Sequence, residues 1–204
     1  MADPPAPILC LASASPRRRE LLAQIGVAHT AAAANIDEAV LAGEGAVDYV
    51  LRMARAKAQA VRGHAGALPV LGADTIVVLD GAICGKPASA ADGLAMLARL
   101  SGRTHIVHTA VALATAAAAP AARLSTSEVT FRTLSHAECL AYWESGEPRD
   151  KAGGYAVQGR AAVFIERLNG SYSGVMGLPL FETAELLRAA GVPWLLGRAG
   201  GGAP

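Results

Sequence analysis

The segment PVLGADTIVVLDG, Pro69 to Gly81, limits the folds open to this chain more than any other stretch. Its β-branched, apolar run predicts a strand, and Asp80-Gly81 at its end is the signature of a tight hairpin. A second hairpin is expected where Ala162 to Leu168 runs into Asn169-Gly170. Antiparallel hairpins exclude a purely parallel sheet. Helical patterns alternate with these strands, so the fold class is α/β with a mixed sheet.

The other elements follow from local chemistry. Ile8 to Ala12 is a short buried strand that ends at a Ser-Ala-Ser-Pro turn. Pro16 to Ile25 then forms a helix, with Ser15 as N-cap, Pro16 in its first position and Gly26 as its stop. A second helix runs from about Val47 to Arg62, with Val47, Val50, Leu51, Ala54 and Ala58 on its apolar face. A third spans Ala90 to Leu100. Two β-rich runs, Thr104 to Ala114 and Ser125 to Phe131, come next. Helices at Ser135 to Glu144 and Phe181 to Ala190 flank a glycine-rich loop, Gly146 to Gly159. No linker divides residues 1–204, so a single domain is expected, with 198–204 a loose tail.

Composition narrows the function. With 52% apolar and 17% charged residues the chain can bury a core, and its net charge of +1 gives no field for coating nucleic acid. Cys10, Cys84 and Cys139 are far apart and include no CxxC pair, which fits a reduced compartment. No apolar stretch is long enough to span a bilayer, and no basic leader precedes one. A cytoplasmic protein, without nucleic-acid or membrane partners, is the expectation.

Several residues carry chemistry. LASASPRRREL places Ser13, Ser15, Arg17, Arg18 and Arg19 at a strand-to-helix turn. Helix N-termini attract anions, whereas arginines there oppose the dipole. A phosphate chain would resolve that conflict; a solvated basic face is the alternative. Asp74 stands inside an apolar strand, where a carboxylate is costly unless paired. Alternation puts Asp74 and Thr75 on opposite faces, so Asp74 can enter a cleft while Thr75 lines its wall or points elsewhere. There Asp74 could activate water, hold a metal, or simply be satisfied by backbone N–H groups. Asp37-Glu38 offers a second acidic spot; magnesium takes one or two carboxylates beside phosphate oxygens. Taken alone, that pair is an ordinary loop.

Lys57 and Lys86 can each serve a phosphate as a point charge or be plain surface lysines. GAICGKP is no P-loop: its spacing is short, and Pro87 stands where Ser or Thr would be needed. In DKAGGYAVQG, Lys151 could neutralise phosphate and Tyr155 could stack on a base or close the core. The Gln158 amide pairs a donor with an acceptor, complementary to the N3–H and O4 edge of uracil and thymine; a solvated Gln on a glycine-rich turn is the alternative. His105 and His108 face opposite sides of a strand and cannot share a metal. Trp143 and Trp194 read as packing anchors.

Taken in order, LASASPRRRELL, GADTIVVLDG, GKP, DKAGGYAVQG and NGSYSGVMGLPL resemble the Maf family of nucleotide pyrophosphatases over nearly the whole chain. The resemblance implies an elongated, two-lobed fold of the Maf and inosine-triphosphatase-like type with a central cleft. It also implies a cytoplasmic homodimer using a divalent cation, magnesium or manganese. Asp74 then corresponds to the proton acceptor, and Arg17, Thr75 and Gln158 to the positions that set base preference. Ser13, Arg18, Glu38, Lys57 and Lys86 match other polar cleft positions, with Asp74 and Glu38 as candidate metal ligands. Gln158 places the chain with the dTTP/UTP branch, whose hydrolysis to monophosphate and pyrophosphate cleans nucleotide pools of modified uridine triphosphates. The alternatives are a 7-methyl-GTP pyrophosphatase, expected to carry Glu at this position, and a non-enzymatic regulator of septum formation.

Overall fold

A computed structural model describes residues 5–116 and 119–194. The tail expected to be loose, 198–204, lies outside the described residues. Seven strands form one sheet: β1 (Leu9–Leu11), β2 (His29–Ala31), β3 (Val70–Leu79), β4 (Ala82–Cys84), β5 (Thr104–Ala114), β6 (Ala121–Phe131) and β7 (Ile165–Asn169). Their spatial order is β2-β1-β3-β5-β6-β7, with β4 also paired to β3. β1 runs parallel to β2 and β3, and the remaining pairings are antiparallel. The fold is therefore α/β with a mixed sheet, as the hairpin signal required.

The helices are α1 (Pro16–Gln24), α2 (Ala46–Arg62), α3 (Ala90–Leu100), α4 (His136–Glu144), α5 (Tyr172–Met176) and α6 (Leu180–Ala189). Pro16 opens α1, while Ser15, in extended conformation, makes no side-chain capping bond. Ser135 and Glu138 close a reciprocal capping box on α4. Asp80 and Gly81 both adopt positive φ, 52° and 76°, as a tight hairpin between β3 and β4 demands. Among the described residues no helix is long and apolar enough to cross a membrane.

Strand alternation sorts β3 into two faces. Val70, Ile76 and Val78 pack with Tyr49, Val50, Met53, Ala54, Ala58 and Val61 of α2. On the other face, Leu71 and Ala73 join a cluster with α1 and α6, while Val77 and Leu79 join a separate one with α3 and α4. Thr75 falls between those two clusters. The outer edge of β3 is divided as well. β1 pairs only with Val70 and Leu71, and β4 only with Val77 to Leu79. Among the described residues, no strand covers that edge from Gly72 to Ile76. Side chains there reach an opening from both faces of the sheet.

Three local expectations need correction. The buried face of α2 is rotated: Val47 is exposed, and Tyr49, Met53 and Lys57 are buried in its place. Asn169-Gly170 does not form a hairpin but leads from β7 into α5. Positive φ at Gly170, 131°, suits either outcome, and two further ties decide it. Ser127 Oγ accepts the Ser171 N–H at 2.9 Å, and the Ser171 side chain caps α5 through Gly174 N–H. Finally, Arg160–Phe164 is a 3-10 turn, so the last strand starts only at Ile165.

Candidate active site

A crevice of about 850 Å³ opens at the uncovered edge of β3. It is lined by Ser13, Arg17, Arg18, Glu38, Lys57, Asp74, Thr75, Lys86 and Gln158, the nine residues that the family resemblance places in a cleft, whereas Arg19 and Asp37 do not line it. The β1-to-α1 turn, the start of α2's approach, the middle of β3 and the glycine-rich loop therefore meet. Asp74 and Thr75 point to opposite faces, yet both line this crevice because no neighbouring strand separates them.

On the α2 face, the buried Lys57 ammonium bridges two carboxylates, Asp74 Oδ1 at 2.7 Å and Glu38 Oε1 at 2.8 Å. A buried carboxylate needs such a partner, which accounts for the acid in an apolar strand. Partial burial works against ionised Glu38, but its hydrogen bond and attraction to Lys57, helped by Lys86 and Arg18, hold its pKa below the usual range. Tyr49 donates to the Glu38 backbone carbonyl at 2.9 Å and so anchors the acidic loop to α2. Burial, with nearby Asp74 and Glu38, pushes the Tyr49 hydroxyl up to about 12, so it remains a donor.

On the opposite face, Arg18 is tied into the frame. Its Nε donates to Gly177 O at 2.7 Å, and its Nη atoms donate to Ser13 Oγ at 3.1 Å and Thr75 Oγ1 at 3.3 Å. Thr75 and Thr109 hydroxyl oxygens lie 3.1 Å apart, and Thr109 donates to Gly174 O at 2.8 Å. One guanidinium thus links α1, β3 and the end of α5. Arg17, on the neighbouring side of the helix tip, is half-buried, and among the described residues its Nε has no hydrogen-bond partner. Burial lowers its pKa, an effect only partly offset by Asp150, Glu20, Tyr142 and Glu147.

The glycine-rich loop supplies the far wall. Gly153, at φ 69°, sits so close to β3 that a Cβ would lie 2.7 Å from the Val77 side chain. Tyr155 closes the core: its hydroxyl lies 2.8 Å from His105 Nε2, and its ring packs edge-on against Phe131. Lys151 is paired with Asp150, while Gln158 is exposed in the crevice. His105 is buried and His108 bonds Thr126, so the two histidines are apart as expected. Trp143 packs on Gly93, and Trp194 against the α1 and α6 cluster.

Sequence reasoning missed Tyr49, Glu147 and Asp150, which also line the crevice. Only Tyr49 left a local signal: with Met53 and Lys57 it falls at four-residue spacing on one helix face.

The family model for Maf-like protein matches residues 8–190, covering every residue of this crevice. The chain belongs to the Maf-like protein family. This Maf-like chain is 56% identical to a dTTP/UTP pyrophosphatase of Methylobacillus flagellatus, over 89% of its own length and 92% of the relative's. It is also 56% identical to the dTTP/UTP pyrophosphatase of Burkholderia pseudomallei, over 94% and 97%. The corresponding Bordetella avium protein is 55% identical, over 91% and 96%. Among solved structures, a HAM1 protein from Coxiella burnetii aligns at TM-score 0.42 and 20% identity, covering 62% of the Maf-like chain and 73% of the other. That likeness is too loose to carry an argument.

Proposed function

We propose that this chain hydrolyses dTTP and UTP, with modified uridine triphosphates, to the nucleoside monophosphate and pyrophosphate, acting as a homodimer in the cytoplasm. One observation carries the reading: a single crevice gathers a cationic helix tip, a paired strand carboxylate and the Gln158 amide. The names of relatives more than half identical in sequence support it.

Water attacks the α-phosphorus; an O–P bond forms and the bond to the bridging oxygen of the β-phosphate breaks. Asp74 accepts the water's proton. Lys57 bonds its Oδ1 and keeps the carboxylate in place beside the phosphate path. Lys86 faces the negative charge that accumulates on the departing pyrophosphate, while Arg17, beside Asp150, Tyr142 and Glu147, serves the base end of the crevice with Gln158. Arg18 acts chiefly by holding Thr75 and Ser13 in position. Gln158 reads the pyrimidine edge, accepting from N3–H and donating to O4. Cytosine, with its N3 acceptor beside an N4 donor, reverses that pattern and mismatches the amide held in this orientation.

The donor set bears on a divalent ion. Among the described residues there is no cluster of three or more Asp, Glu, His or Cys that could hold a metal by itself. Lys57 takes one oxygen of each carboxylate, Asp74 Oδ1 and Glu38 Oε1, and among the described residues leaves Asp74 Oδ2 and Glu38 Oε2 unengaged beside the crevice. Two carboxylates fit magnesium or manganese carried mainly by phosphate oxygens and water. Asp74 and Glu38 would hold it, and bound there it would neutralise phosphate charge and orient the triphosphate.

The test is pyrophosphate release from dTTP, UTP, CTP, GTP and 7-methyl-GTP, with and without magnesium. Release confined to dTTP and UTP is expected; preference for 7-methyl-GTP would overturn the substrate assignment.

A further inference from the structure

The backbone on both sides of Gln158 is held by two side chains to which the mechanism assigns no role. Tyr142 lies on α4, and Glu147 opens the 3-10 turn Glu147–Asp150 just after it. Glu147 Oε1 accepts the Tyr142 hydroxyl at 2.8 Å and the Ala161 N–H at 3.4 Å, and its Oε2 accepts the Arg160 N–H at 3.0 Å. The Tyr142 oxygen in turn accepts the Ala156 N–H at 3.1 Å. One linked pair of side chains therefore grips the chain just before and just after Gln158. Gly159 completes the fit, since a Cβ there would lie 2.3 Å from Glu147 Oε1.

The grip has a defined polarity. Burial, then the bond to Glu147, pushes the Tyr142 hydroxyl far above the ordinary phenol range, so it stays a donor at neutral pH. Both Glu147 oxygens are acceptors engaged by N–H or O–H groups of the protein. Gln in its place has a single acceptor oxygen and would turn an amide N–H toward a backbone N–H on one side.

We propose that Glu147, acting with Tyr142, is a positioning residue for base recognition, fixing the backbone around Gln158 and so setting selectivity for uracil and thymine without contacting the base. The inference rests on Gln158 being the group that reads the base. A misplacement near 1 Å is enough to cost about a hundredfold in a site of this kind.

The test measures kcat and KM for UTP and CTP with the full chain and four variants: Glu147→Gln, Tyr142→Phe, Gln158→Ala and the Glu147→Gln/Gln158→Ala double variant. Glu147→Gln is expected to lower the UTP-to-CTP ratio of kcat/KM by about tenfold or more, through a higher KM for UTP. Its kcat for UTP should stay within about threefold of the parent, as removal of ground-state and transition-state binding together requires. Tyr142→Phe shifts the ratio in the same direction. In the Gln158→Ala background, Glu147→Gln should change the ratio no further. An unchanged ratio in Glu147→Gln, alongside a lost one in Gln158→Ala, overturns the positioning role and leaves the base-reading role intact. A retained ratio in Gln158→Ala overturns the base-reading role itself. An additive loss in the double variant contradicts action through Gln158. If Glu147→Gln melts below the assay temperature, Tyr142→Phe decides alone, and an unchanged ratio there overturns the proposal.

Discussion

Replacing Gly72 with Ala tests how the sheet and α2 assemble the charged centre. Gly72 lies on β3 under α2, where a Cβ would come 2.3 Å from Ala54 O, 2.6 Å from Ala58 N and 3.0 Å from Ala58 Cβ. The first two are backbone atoms that cannot rotate away. To restore ordinary contact α2 must retreat by about 1 Å. Overpacking of this kind costs roughly 1–3 kcal/mol. For a chain this long each kcal/mol lowers Tm by about 2–4 °C, so a drop of roughly 2–12 °C is expected. The same retreat carries Lys57, one turn along α2 from Ala54, away from Asp74, stretching a bond that now measures 2.7 Å. Turnover of dTTP should fall about a hundredfold, the cost of misplacing a catalytic group by that distance. Gly63→Ala is the control: the position is open, its φ is −67°, and the change should be neutral or slightly stabilising. Thermal melting and pyrophosphate release read both effects. A Gly72→Ala protein with parental Tm and turnover would refute the claim that close α2 packing sets the Lys57–Asp74 geometry.

Three further outcomes are expected. His105 is buried and its pKa is lowered to about 4, so below its unfolded value near 6.5 the unfolded chain takes up a proton that the native state refuses. Its contribution is intact above about pH 6.5 and declines by about 1.4 kcal/mol per unit as pH falls, roughly 3 kcal/mol in all by pH 4. Urea midpoints across this range should fall less steeply in His105→Gln, and parallel profiles would contradict the assignment. Chelation of divalent ions should abolish pyrophosphate release, and Glu38→Gln should raise the magnesium concentration for half-maximal rate roughly tenfold or more. An unshifted magnesium titration in that variant removes Glu38 from the metal site. Phe181 is 74% exposed on α6, so Phe181→Ser should leave Tm within about 2 °C unless that side chain is covered in the proposed homodimer; sedimentation of both proteins distinguishes the cases.

The features legible in the sequence were those that break a local rule. Asp74 stands out because an unpaired carboxylate does not belong in an apolar strand, and Arg17 and Arg18 because cations oppose a helix N-terminus. Asp80-Gly81 was legible because few residue pairs accept two positive φ values. Asn169-Gly170 misled for the same reason: its dihedrals permit a hairpin, while Ser127, distant in sequence, decides against one. The gap in β3's edge was not legible, since it depends on where β1 and β4 stop pairing. Glu147 had no local signal either. Its partners Tyr142, Arg160 and Ala161 meet it only once the loop has folded back, and a lone Glu before Pro148 looks like any solvated turn.

Pyrophosphate release by Asp74→Asn tests the central claim most directly. Asn keeps the shape of the side chain but cannot take a proton from water. With dTTP or UTP and magnesium, the parent protein should release one pyrophosphate per monophosphate formed. The variant, with a parental circular dichroism spectrum, should be slower by about two to four orders of magnitude. Parental turnover in a folded Asp74→Asn protein would contradict the assignment of Asp74 as the base and the crevice as the place where the anhydride is cut.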